Sequence, residues 1–196
     1  MSLPLLAVLA VLWFQFPNEL DAVPHFKAQA AENPAVKAFL TVVTDWGNVF
    51  YHAFFIGMLI WAVRTKNQEN LRFVLIVLAV QLVVALICVH FVKHVVGRPR
   101  PGQGMFFDPI TTKGSFHSFP SGHTTEFVGW SLPLVLRQRQ TLISTLIGVA
   151  VALVGFSRIY LGWHHPSDVF FGWALGSFGG FAAIVLVGTN LFRKRK

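Results

Sequence analysis

Charge is scarce in this chain. Only 12% of its 196 residues are Asp, Glu, Lys or Arg, while 54% are hydrophobic and the mean hydropathy is +0.59. A soluble domain carries roughly a quarter charged residues, so an ordinary water-soluble fold is excluded, and the apolar content excludes disorder. Cysteine is nearly absent. The single Cys88 rules out a disulfide framework, and without a C-x-x-C pair there is no thiolate zinc site. No glycine period, internal repeat or low-complexity tract occurs. The eight histidines include no H-E-x-x-H or comparable metal-ligand spacing, so neither a metal nor another cofactor is expected. Acids are the rarest charges, eight against sixteen bases, for a net charge of +8. Nucleic-acid binding would need a basic face on a soluble surface, whereas these bases cluster between apolar runs. The length fits one domain, residues 1–196. An integral membrane protein remains.

A helical span needs about 20 mostly apolar residues. Leu71–Val92, Thr141–Tyr160 and Val169–Phe192 meet this readily, and Phe39–Val63 does so with Asp45 and His52 inside it. Two shorter stretches, Leu3–Phe16 and Ser121–Leu136, complete an expected all-α bundle of six transmembrane helices. The second of these holds Glu126 and Pro133 and is expected to be short or kinked. No Lys or Arg precedes Leu3–Phe16, and the nearest A-x-A site, Ala28-Gln29-Ala30, lies a dozen residues further on. A retained helix therefore fits better than a cleaved signal peptide. The segment Phe16–Lys37, rich in Pro and acids, reads as an interfacial helix.

Basic residues set the orientation. Arg64, Lys66, Arg72, Arg137, Arg139 and the tail Arg193–Lys196 fall on one side, nine in all. The other side holds seven, Lys27, Lys37, Lys93, Arg98, Arg100, Lys113 and Arg158. Both termini are thus expected in the cytoplasm, with three connections facing outward.

The outward helix ends carry the chemistry. Lys93-His94-Val95-Val96-Gly97-Arg98-Pro99-Arg100-Pro101 closes the third span. Ser118-Phe119-Pro120-Ser121-Gly122-His123 opens the fourth, and Ser157-Arg158 through His164-His165-Pro166-Ser167-Asp168 joins the fifth to the sixth. Ionisable groups at membrane depth are costly unless they face a polar site. Lys93, Arg100 and Arg158 suit an oxyanion, arginine presenting a planar fork to phosphate oxygens. The Pro-Ser-Gly turn directs free backbone amides and a helix N-terminus at an anion, and Gly122 permits close approach. His164 and His123 offer a nucleophile and a proton donor. Asp168, four residues after His164, can hold one of its ring nitrogens if a helix starts near Pro166.

Three motifs in order, K-x6-R-P (Lys93 to Arg100-Pro101), P-S-G-H (Pro120–His123) and S-R-x5-H-x3-D (Ser157 to Asp168), make the chain resemble the type 2 phosphatidic acid phosphatase (PAP2) superfamily. The resemblance implies a PAP2-like membrane core of the bacterial lipid phosphatase branch and a metal-independent reaction. His164 would form a phosphohistidine, oriented by Asp168. His123 would protonate the leaving oxygen and later activate water, while Lys93, Arg100, Ser121, Gly122 and Arg158 hold the phosphate. It also implies a lipid substrate, reached from the bilayer at the outer leaflet of an inner (cytoplasmic) membrane. Undecaprenyl diphosphate, phosphatidylglycerol phosphate, phosphatidic acid and lipid A phosphate all remain open. A phosphotransferase passing the phosphate to another lipid shares the site. A non-enzymatic anion or lipid transporter needs no nucleophile. The sequence identifies no protein partner.

Several residues have blander readings. Lys93 or Arg158 alone could be a snorkelling anchor. His165 neighbours the expected nucleophile, but the motif spacing selects His164. Arg98 sits in the variable part of the first motif, adding either positive field or a solvated loop charge. His94 and His117 read as rim residues, and His25, His52 and His90 as structural or interfacial ones. Glu126, three residues after His123, either contacts that histidine or a substrate head group and raises the histidine's pKa, or bonds a neighbouring helix as a neutral carboxyl. Gly172, Gly176, Gly179 and Gly180 give the last helix a small face for close packing, within the chain by default.

Overall fold

A computed structural model describes residues 1–189 and contains no strand among them. The order is α1 (Leu3–Gln15), α2 (Glu19–Glu32), α3 (Pro34–Arg64), α4 (Gln68–Gln81), a π-helical segment (Leu82–Cys88), α5 (Val89–Val96), α6 (Gly122–Gln138), α7 (Thr141–Tyr160) and α8 (Pro166–Gly188). The basic tail Arg193–Lys196 and the end of the expected span 169–192 lie outside the described residues.

Among the described residues four helices are long and apolar enough to cross a bilayer: α3, the rod from Gln68 to Val96, α7 and α8. The chain is an integral membrane protein. The six-span expectation meets two short helices, α1 with 13 residues and α6 with 17. At 1.5 Å per residue these are about 20 and 25 Å long, less than a hydrocarbon core of about 30 Å. α1 joins α2 across a bend of 103°. Asn18 caps α2, its side chain accepting from the Leu20 amide at 3.1 Å. α2 then folds over one end of the bundle, where Phe26 meets Phe156 and Tyr160 of α7. It is the helix expected in Phe16–Lys37.

The rod from Gln68 to Val96 is not one regular helix. Its π-helical turn adds residues relative to an α register and rotates the face that α5 presents, a device common near functional sites. A run that is apolar on every side carries no sequence trace of that shift.

α6 and α8 form the tightest packed pair. A Cβ on Gly172 would stand 2.6 Å from the Ser121 carbonyl oxygen, and one on Gly176 would stand 2.4 Å from that of Thr125. Only glycine lets the two backbones approach so closely. The small face is thus used within the chain, and it sets the start of α6 against the start of α8.

Candidate active site

Every chemistry-bearing motif ends at one end of this bundle. α5 stops at Gly97, whose φ of +58° favours glycine, and a Cβ there would stand 1.7 Å from the Asp108 carbonyl oxygen. Beyond it Arg98-Pro99-Arg100 runs beside Ser115–Ser118. The Ser118 amide donates to the Arg98 carbonyl (3.1 Å) and the Arg100 amide to the Ser115 carbonyl (2.7 Å).

α6 starts under equally tight control. The Ser121 amide donates to the Asp168 carbonyl at 2.9 Å, and its hydroxyl pairs with Thr124 Oγ1 at 2.9 Å. The first helical bond runs from the Thr125 amide to the Ser121 carbonyl. The amides of Gly122, His123 and Thr124 therefore have no intrahelical acceptor and are available to an anion. The Ser121 amide, expected among the free ones, is already committed.

Asp168 is fully buried. Its Oδ1 accepts from Arg98 Nη1 (2.7 Å), and its Oδ2 from the Ser118 hydroxyl (2.6 Å) and the His165 amide (2.9 Å). The His164 ring, also buried, brings Nδ1 to 3.5 Å from Asp168 Oδ2, beyond a good hydrogen bond but in register for one. α8 does begin at Pro166, as that pairing needs. Burial holds His164 down to about pKa 4. Asp168 offsets part of this, and the charges of Arg158 and Lys93 add to it. The ring is neutral at physiological pH, the form a nucleophile needs.

Arg98 lies behind this pair. Besides Asp168 it holds the Ser167 hydroxyl (2.6 Å) and Glu19 Oε1 (2.6 Å), while Glu19 Oε2 accepts from the Ser167 amide (3.0 Å). Neither a solvated charge nor part of the phosphate-facing field, it is the centre of a carboxylate–guanidinium–carboxylate chain linking α2 to α8. No sequence signal pointed to Glu19, which lies 148 residues before Ser167.

Lys93, Arg100 and Arg158 are different: among the described residues none forms an ion pair with a carboxylate. The Arg158 and Arg100 guanidiniums each lie 5.6 Å from the centroid of the Trp163 ring, which brackets them. Arg158 Nη1 donates to Thr44 Oγ1 at 2.9 Å, and Arg100 Nε to the Gly114 carbonyl at 3.1 Å. Lys93 Nζ lies 3.8 Å from where a Cβ on Gly122 would sit. His123 has Arg158, Lys93 and Arg100 as its cationic neighbours, with His164 beside them. The residues assigned to the site by motif thus gather at one end of the bundle, Ser121 among them but buried and bonded to Thr124 and Asp168. Trp163 and Thr44 join them, and the sequence had not singled out either.

Glu126 turns to α3 instead of His123. Its carboxylate meets His52 Nε2 (2.7 Å) and accepts from Asn48 Nδ2 (2.8 Å) and Trp130 Nε1 (3.5 Å). His94 and His117 both contact the Thr111 carbonyl and brace the loop carrying Arg100.

Chemically the pocket joins unpaired cations, free helix-start amides, a buried imidazole backed by a carboxylate, and a second imidazole among positive charges. The sequence profile of the PAP2 superfamily matches residues 71–192, which include all three motifs. An undecaprenyl-diphosphatase of Sulfolobus acidocaldarius is 31% identical over 123 residues, 61% of this chain and 58% of that protein. A lipid A 1-phosphatase of Rhizobium johnstonii is 36% identical over 115 residues, 54% of this chain and 45% of that protein. The matches thus span about half the length of these relatives. The crystal structure of a transmembrane PAP2-type phosphatidylglycerolphosphate phosphatase from Bacillus subtilis shares the fold. Its TM-score is 0.62 at 23% identity, over 97% of this chain and 95% of that one.

Proposed function

We infer the activity from a premise that the match over residues 71–192 establishes: this chain belongs to the PAP2 superfamily. We propose that it hydrolyses a phosphomonoester or diphosphate of a membrane lipid through a phosphohistidine. The observation carrying this reading is a buried imidazole, His164, backed by buried Asp168 and set near Lys93, Arg100 and Arg158, none of which forms an ion pair with a carboxylate among the described residues.

The substrate phosphate lies among Lys93, Arg100, Arg158 and the amides of Gly122 and His123. His164 Nδ1 is turned to Asp168, so Nε2 attacks phosphorus. The N–P bond forms as the P–O bond to the lipid breaks, and the leaving oxygen takes a proton from His123. The phosphate's negative charge stabilises the protonated form of His123. Water then attacks the phosphohistidine, His123 accepts its proton, and inorganic phosphate leaves with His164 restored. Asp168 stabilises the imidazolium character that develops in both steps, and Arg98 and Glu19 hold Asp168 in place.

In the same reading α1 and α6 are short passes completing six, both termini are cytoplasmic, and the pocket opens outward. The substrate's tail stays in the bilayer. A transferase using the same phosphohistidine differs only in its acceptor.

The test is phosphate release by purified protein in detergent, with chelator present, from undecaprenyl diphosphate, phosphatidylglycerol phosphate, phosphatidic acid and lipid A phosphate. Release that vanishes in His164→Ala is expected. Release only after an acceptor lipid is added would replace hydrolase by transferase, and release that survives His164→Ala would reject the mechanism.

A further inference from the structure

A polar seam runs from the site along α3 and α6. On α6, His123, Glu126 and Trp130 follow at three- and four-residue steps. On α3, Thr44, Asn48 and His52 follow at four-residue steps, so each set shares a helix face. The two faces meet. Thr44 holds Arg158 of the phosphate pocket, Asn48 and His52 hold Glu126, and the His52 and Trp130 rings pack edge to face at 5.7 Å. Glu126 therefore lies about one helical turn deeper than His123.

A bond that merely joined two helices would be buried, and α3 and α6 already have one: Tyr51 Oη and Ser131 Oγ at 2.8 Å, both buried. The Glu126–His52 pair is open instead, with side-chain exposures of 26% and 49%. Around it α3 presents Phe50 and Phe54 to the bilayer. An ionisable pair left open at that depth points to a polar ligand. What the seam offers is an acceptor, the Glu126 carboxylate, held from behind by the buried Asn48 side chain.

We propose that this seam is the side entrance of the site and that Glu126, positioned by Asn48, selects lipid phosphates whose backbone, next to the phosphate, carries a hydroxyl or amide N–H. This rests on the reading that the phosphate sits beside His164. A lipid so bound places its backbone donors one turn below the phosphorus, level with Glu126. Its ester-linked or isoprenoid counterparts bring no donor there.

Two phosphomonoesters of matched chain length separate the cases, ceramide 1-phosphate with a hydroxyl and an amide N–H, and phosphatidic acid with esters only. In mixed micelles the wild type is expected to show a KM about tenfold lower for ceramide 1-phosphate, the worth of one charge-assisted hydrogen bond. Glu126→Gln brings that ratio to about twofold, with kcat for both lipids and KM for phosphatidic acid unchanged. Asn48→Leu is a second variant expected to reduce the ratio, and Tyr51→Phe, which breaks the buried bond, should lower the melting temperature without altering it. Equal affinity in the wild type, or parallel changes for both lipids in Glu126→Gln, would overturn the proposal. Equilibrium binding to His164→Ala by intrinsic tryptophan fluorescence separates the two readings. A ceramide 1-phosphate preference there, lost on adding Glu126→Gln, supports the seam even if the wild type releases no phosphate, an outcome that would reject the hydrolase alone.

Discussion

Arg98 and Arg100 stand two residues apart on one loop and are put to opposite uses. Arg98 is spent on protein: three oxygen partners at 2.6–2.7 Å, two of them carboxylates, and a side-chain exposure of 12%. Arg100 has no carboxylate, only the Gly114 carbonyl and the face of Trp163. One side of the site is therefore a closed charge chain, Glu19–Arg98–Asp168, that holds the carboxylate beside His164. The other is an open set of cations, Lys93, Arg100 and Arg158, with no carboxylate ion pair among the described residues. Buried charges are tolerable when paired. The unpaired side marks where a ligand belongs, and the paired side marks what the fold itself must hold still.

The largest effects should fall on the pair that both sides serve. His164→Ala is expected to abolish turnover, at least about 10³-fold, and Asp168→Asn to lower kcat about 10²–10⁴-fold with the chain still folded. Both are read by phosphate release. If Asp168→Asn kept wild-type kcat, the closed side would have no part in the chemistry.

The two arginines give the sharpest contrast. Arg98→Ala leaves Glu19 and Asp168 facing each other with one buried carboxylate uncompensated, a loss of about 3–5 kcal/mol. A lower melting temperature and lower kcat should follow. Arg100→Ala should raise KM about tenfold or more with little change in melting temperature, since only a ligand contact is lost. The comparison breaks if both variants move the same parameter.

The pH dependence is a finer test. kcat/KM reports the free enzyme, and the nucleophile must be unprotonated. The acid limb assigned to His164 should therefore lie near pH 4, not near the ordinary imidazole value, with activity falling as pH drops through it. Because Asp168 holds the imidazole's pKa up, the residual activity of Asp168→Asn should extend to lower pH still. Smallest is Glu19→Gln, which keeps the Arg98 and Ser167 contacts but removes their charge. A few-fold loss of kcat at unchanged KM is expected.

Much of this was legible in the sequence. The apolar runs marked the long helices to within a few residues, and the motifs that hold Lys93, Arg100, Ser121, Gly122, His123, Arg158, His164 and Asp168 come together at one end of the bundle. What escaped was tertiary. Motif spacing leaves the fifth position after Lys93 unspecified, so nothing distinguished Arg98 from a loop charge, and its partner Glu19 lies on α2. The π-helical turn before Lys93 is invisible because residues 82–88 are apolar all round. For Glu126 the three-residue spacing to His123 says only that the two share a face; its carboxylate bonds α3 instead, the neighbouring-helix alternative of the two the sequence left open.

The most direct test of the central claim is to trap the covalent intermediate. A lipid phosphate labelled with ³²P is mixed with the enzyme, quenched in alkali to preserve phosphohistidine, and the labelled peptide sequenced. Label on His164 is expected, increased in His123→Ala if water activation slows more than attack, and absent in His164→Ala. Turnover with no protein-bound label, or with label on His165, would contradict the account.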